Sequence, residues 1–203
     1  MKLADILSAL RRRWYIVVPG LVLAVIVTAT TWTLTGDDYE RTATQVLLPG
    51  ESSVPEDGNP YLYIGGLGQA ADIVVRALSS PNVVDPIVQR HPGTEITVER
   101  DPSTSGPVFM ITVLASSDRT AEDVVDTLVA RTAIVLDELQ DEQSIAERDR
   151  ITVMPIFVDE ESVVERRNRL TVTAFVGVGS AVLVLVLAAL TDGIVLSRAR
   201  RHR

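Results

Sequence analysis

Two stretches of more than 20 residues carry no charged residue, 14–35 and 170–190, and together they organise everything else. About 20 residues of helix cross the hydrocarbon core of a bilayer, so both are long enough to span one. Trp14, Tyr15 and Trp32 stand near the ends of the first, where amphipathic rings sit at headgroup level. Pro19 and Gly20 fall in its first turns, where a membrane helix tolerates them. Arg11, Arg12 and Arg13 precede this stretch, which also suits a cleaved signal peptide, and Val27-Thr28-Ala29 is a loose cleavage pattern. The apolar run nevertheless continues to Leu34, beyond a usual signal-peptide core, and the reading is a retained anchor. The second stretch strengthens it. Asp192-Gly193 interrupts that run, and Ile194-Val195-Leu196 leads into the basic SRARRHR. The expected spans are 14–35 and 170–196.

Between them the pattern changes period. RTATQVLL (41–48) alternates and predicts a strand, and the proline-rich 49–60 predicts a loop. GQAADIVVRAL (68–78) repeats apolar residues at helical spacing, with a short second helix expected over 82–90. EITVER (95–100) alternates, whereas VFMITVLA (108–115) is more continuously apolar and suits a central strand. From Arg119 to about Gln143 a helix is predicted. Ala121, Val125, Leu128, Thr132, Val135, Leu136 and Leu139 form its stripe, with Asp118 as N-cap. ITVMPIFV (151–158) reads as the last strand, and 159–169 as a helical lead into the second span. The fold class that follows is an α+β extracytoplasmic domain, a small mostly antiparallel sheet backed by helices, flanked by two transmembrane helices. The first and last strands are expected to pair or lie near each other.

Charge sets the orientation. The net charge of −8 hides a division. Residues 36–169 carry 25 carboxylates against 11 arginines, a net of −14, while both ends are basic. Positive residues favour the cytoplasmic side. The expected layout is a cytoplasmic N-terminus (1–13), an extracytoplasmic domain (36–169) and a basic cytoplasmic tail (197–203), in the plasma or inner membrane. Arg166, Arg167 and Arg169 resist this layout, since they fall on the outer side. An acidic middle speaks against nucleic acid, which wants a basic face. With no cysteine there is no disulfide, thiol nucleophile or thiolate metal site.

Candidate chemistry is sparse. His91 precedes a Pro-Gly turn and His202 lies in the tail. Gly65-Gly66-Leu67-Gly68 before a helix lacks the spacing of a phosphate loop and reads as a turn. The acidic pairs Asp37-Asp38, Asp137-Glu138 and Asp141-Glu142 and the run Asp159-Glu160-Glu161 read as solvated faces. No catalytic, cofactor-binding or metal-binding residue is assigned. Ala174, Gly177, Gly179 and Ala181 are candidates for membrane-helix packing, because small residues let helix backbones approach. Tyr61 and Tyr63 are candidates for contact with a partner or glycan.

The order of these pieces resembles the polysaccharide co-polymerases, the Wzz-type chain-length determinants. The matching stretches are LADILSALRRRWYIVV entering the first span and Tyr39 followed by RTATQVLLPG after it. Leu78-Ser79-Ser80-Pro81-Asn82-Val83 matches the family's step from helix into S-P-x-V, and Pro107-VFMITVLASSD its strand before a helix. The long coiled-coil arm of that family is absent, and the proline-rich approach to the second span is reduced to Pro155. The resemblance is to a short, kinase-less member. It implies a non-catalytic membrane scaffold, a homo-oligomer without a cofactor. Such a scaffold regulates polymerisation, chain length or export of a surface polysaccharide beside a membrane polymerase or export machinery, and can contact the nascent polysaccharide. The alternative is an accessory or binding subunit of another membrane complex, such as a transporter or secretion machine. An outer-facing enzyme is the least supported reading.

Overall fold

A computed structural model describes residues 14–201, with side chains through residue 191. Residues 1–13, with Arg11 to Arg13, and the tail side chains including His202 lie outside the described residues. The chain divides into two compact units, one formed by Met1–Asp37 with Arg166–Arg203, the other by Asp38–Glu165.

The first unit is a helical hairpin of α1 (Trp14–Leu34) and α5 (Arg167–Arg201). Both contain windows long and apolar enough to cross a membrane, Trp14–Leu34 and Arg167–Thr191. Neither helix is amphipathic. Apolar side chains surround both axes, as helices in lipid require and helices in water do not. Threonine hydroxyls inside α1 donate to the preceding turn, Thr28 to the Ala24 carbonyl at 2.7 Å and Thr31 to that of Val27 at 2.9 Å. These bonds satisfy polar groups without a partner helix or water. The helical backbone of α5 continues through Asp192-Gly193, where the apolar pattern stops.

The second unit is an α+β domain. Its elements are β1 (Asp38–Leu48), α2 (Gly68–Leu78), α3 (Pro81–Arg90), β2 (Glu95–Arg100), β3 (Val108–Ala115), α4 (Asp118–Glu142), β4 (Thr152–Val158) and β5 (Val163–Glu165). The sheet runs β2-β3-β1-β4, and β5 pairs the first residues of β1. All pairings are antiparallel. The first strand therefore does pair with the later ones: Val46 opposes Met154 and Tyr39 opposes Val164. β3 is central, as its apolar run suggests. Phe109, Ile111, Val113 and Ala115 are buried on one face, and Met110, Thr112 and Leu114 are half-buried on the other. Helices α2 and α4 cover the first face. Ala71, Val74, Leu78, Val124, Val125 and Leu128 close over Ala43, Leu47 and Phe109. Burial of such side chains supplies the main favourable term for a domain of this size.

Two sequence expectations change. The segment after β4 does not run as a helix into α5; Val163–Glu165 forms a short strand on β1. Three residues are too few for periodicity to register, and the flanking charges disguise them. The N-cap of α4 is Ser117, whose hydroxyl accepts from the Thr120 amide at 3.2 Å, and Asp118 is the first helical residue.

Candidate functional site

Within the hairpin the helices pack antiparallel, and two glycines, Gly20 and Gly177, lie against the facing helix. A Cβ on Gly177 would lie 3.3 Å from the Thr28 hydroxyl oxygen, and one on Gly20 only 2.7 Å from a Val184 methyl. Ala181 lines the same side as Gly177, in an open groove of about 430 Å³ with Leu21, Ala24, Thr28 and Thr173. Ala174 and Gly179 are exposed, and nothing lies within 4 Å of a Cβ built on Gly179. Small-residue spacing on α5 therefore brings Gly177 and Ala181 to α1 but not the other two. Gly20 is a contact that sequence reasoning missed. Beside Pro19 it reads as a tolerated residue, and its partner, Val184, carries no small-residue signal. Thr173 is 9% exposed, and its hydroxyl has no hydrogen-bond partner among the described residues.

At the end of the hairpin nearest the central domain in sequence, the discordant arginines are held in place. The Arg169 guanidinium lies over the Trp32 ring, 4.1 Å from its centroid, and donates to the Trp32 carbonyl at 3.0 Å and to the Asp37 carboxylate at 2.7 Å. Arg166 approaches the other Asp37 oxygen at 3.5 Å. The Arg169 hydrogen bond, aided by the charge of Arg166, holds the Asp37 carboxyl below the usual carboxylate range. Trp32 was legible as a membrane-boundary ring; its pairing with Arg169, 137 residues away, was not.

In the central unit a second arginine network is buried. Arg41, 5% exposed, donates to Asp118 at 2.9 Å, to the Ser162 hydroxyl at 3.0 Å and to the Glu160 carbonyl at 2.9 Å. A buried guanidinium requires such partners. The network fastens the β4–β5 turn to the start of α4. The Ser162 hydroxyl bond, then Arg41, lower the Asp118 pKa. Asp159 accepts from the Thr42 amide at 2.7 Å. Of the run Asp159-Glu160-Glu161, two residues thus serve this turn rather than a solvated face alone.

The glycine segment before α2 receives an internal cation. Arg100 donates to the carbonyls of Gly68 and Gly106 and to Asp72 at 3.1 Å. Its guanidinium sits 3.4 Å from where a Gly68 side chain would start. Tyr61 and Tyr63 stand on a 3₁₀ turn, Pro60–Tyr63, capped by Asn59. They are 48% and 41% exposed, Leu62 between them is 78% exposed, and the Tyr61 hydroxyl points at the Met154 sulfur, 3.8 Å away. His91 ends α3, its amide bonded to the Ile87 carbonyl. On and beside α4, Glu138 pairs with Arg131 at 3.3 Å and Asp141 with Arg150. Among the described residues no three His, Asp or Glu side chains gather as a metal site would need.

The sequence matches no protein-family profile and no curated protein. A solved structure described as a full-length bacterial polysaccharide co-polymerase aligns with 70% of this chain at 11% identity and a TM-score of 0.45. The alignment covers 49% of that structure, so this chain spans about half its length.

Proposed function

We propose that the chain is a two-pass, non-catalytic membrane scaffold that regulates polymerisation, chain length or export of a surface polysaccharide. The observation that carries the reading is the placement of an α+β domain, in sequence, between two apolar helices packed as a hairpin. The quoted sequence stretches then favour the co-polymerase class over other two-pass proteins. The proposed boundaries are cytoplasmic 1–13 and 197–203, membrane 14–35 and 170–196, and extracytoplasmic 36–169. Chemistry is delegated to a partner polymerase or export machinery, and the chain acts as a homo-oligomer. Gly177 and Ala181 serve packing of the hairpin, Ala174 and Gly179 are available to a neighbouring helix, and Tyr61 and Tyr63 to a partner or glycan. Domains of net charge −14 repel, so assembly requires acidic faces to point away from subunit contacts or to bind cations.

The test is the size distribution of the cell's surface polysaccharide with and without the gene. A modal length that shifts or disappears on deletion, and returns with the wild-type gene, supports the proposal. An unchanged length and amount favours an accessory subunit of another membrane complex.

A further inference from the structure

The groove between α1 and α5 holds a polar group that its own hairpin leaves unbonded. The groove walls are built largely of small residues, Ala24, Thr28 and Ala29 on α1 and Thr173, Gly177 and Ala181 on α5. It follows α1 from Leu21 to Trp32, about 16 Å or three turns of helix. The lining positions recur every three or four residues on both helices, the spacing at which a neighbouring helix is met. The hydroxyls of Thr28, Thr30, Thr31, Thr171 and Ser180 all donate to carbonyls of their own preceding turn, at 2.7 to 2.9 Å. The Thr173 hydroxyl makes no such bond. Its residue is 9% exposed, and the oxygen is buried with no hydrogen-bond partner among the described residues. Thr173 therefore has its hydroxyl turned off its own helix, on the wall of an apolar groove.

We propose that this groove is closed by the same groove of a second copy, so that two hairpins form a four-helix bundle with Thr173 meeting Thr173 inside it. This deepens the homo-oligomer reading above, and rests on it and on the membrane reading. Lipid tails offer nothing to a hydroxyl, and an unbonded hydroxyl in hydrocarbon costs free energy. Helices in lipid associate through close packing and hydrogen bonds, because the tails are as apolar as the side chains they touch. The small walls supply the first and Thr173 the second. The charge pattern that orients one copy orients every copy alike, so equal residues lie at equal depth. A two-fold axis along the membrane normal then brings one Thr173 hydroxyl opposite the other. Each is both donor and acceptor, so one donates, the other accepts, and neither stays unpaired. Phe175 and Val186, bulky, exposed and on the opposite side of α5 by helical spacing, stay toward lipid.

The chain contains no cysteine, so a single introduced thiol reports one position. Full-length Thr173→Cys and Phe175→Cys chains are reconstituted in phosphatidylcholine vesicles and oxidised with copper phenanthroline. T173C is expected to form disulfide-linked dimers several-fold faster than F175C. Energy transfer between dyes attached at Thr104→Cys measures association of chains whose groove is intact. Thr173→Val should weaken that association about threefold, the usual size of a hydrogen bond between membrane helices, and Thr173→Ser should retain it. Ala29→Leu, which fills the groove from a residue exposed in the single hairpin, should abolish it. Far-UV circular dichroism of each variant establishes that the helices persist. Equal or faster cross-linking of F175C overturns the inference and leaves the homo-oligomer reading standing. Energy transfer without cross-linking at 173 does the same, since copies then meet by another face. Association unchanged by T173V or by A29L also overturns it. No transfer in the parent chain overturns both readings, because lipid then fills the groove and copies do not associate.

Discussion

At the scale of single residues, the central unit is governed by buried contacts that tolerate little change. Leu128 is fully buried between α4 and the sheet. Leu128→Ala should lower stability by about 2–5 kcal/mol, through lost transfer energy and a residual cavity, as read by denaturant unfolding of the central domain. Gly50 is constrained differently. A Cβ there would clash with the backbone of Asp149, whereas one on Gly65 would meet nothing within 4 Å among the described residues. Gly50→Ala should therefore cost about 1–3 kcal/mol, and Gly65→Ala should lie within experimental error of the parent in the same assay. Asp118 sets a pH dependence. Its pKa is lowered on folding, so its stabilisation is present above the unfolded value and is lost as pH falls through the folded one. Thermal melts should show the wild type losing stability below about pH 4, with Asp118→Asn already weaker at pH 7 and less sensitive to acid. Of these details the sequence announced only Leu128, through helical periodicity. The partners of Gly50, Asp118 and Arg41 lie 99, 44 and 121 residues away, and local pattern carries no information at that separation.

At the scale of elements, legibility followed length and regularity. The 25-residue α4, with its apolar stripe, was read to within a residue at each end, and β2 and β3 were read at their bounds. β5 was missed because three residues cannot display a period and its ordering comes from pairing with β1. The antiparallel sheet was expected, but its order was not, since which strands pair depends on tertiary packing. In the hairpin, the small residues of α5 were legible as a set, whereas the face they use depends on where α1 lies. A prediction belongs here. Cysteines replacing Gly20 and Val184 should cross-link readily on oxidation in membranes, and cysteines replacing Gly179 and Leu23 should not. Cleavage at an engineered site in the 101–106 turn, run with and without reductant, reads the result. Cross-linking of both pairs alike would contradict the packing seen at Gly20.

At the scale of the whole molecule, the two units follow different solvent rules. The central unit buries apolar residues on the helix-covered face of its sheet, and Arg41, Arg100 and Gln140 donate to the backbone carbonyls of Glu160, Gly106 and Ile151. The hairpin exposes Leu23, Val25, Ile26, Phe175, Val178 and Leu183, each more than half accessible. That exposure would be a liability in water and is ordinary in lipid. The functional proposal depends on this contrast, because a scaffold for polymer growth outside the cell requires the acidic domain to be outside and both ends inside. Cysteine accessibility tests it most directly. The natural chain has none, so each introduced thiol is the sole reporter. Cysteines are placed one at a time at Ala4, at Thr104 in the turn between β2 and β3, and at Ser197, and intact cells are treated with a membrane-impermeant maleimide. The account predicts labelling at 104 alone, with 4 and 197 reacting only after the membrane is opened. Protection of 104 in intact cells, or labelling of either end, would contradict it.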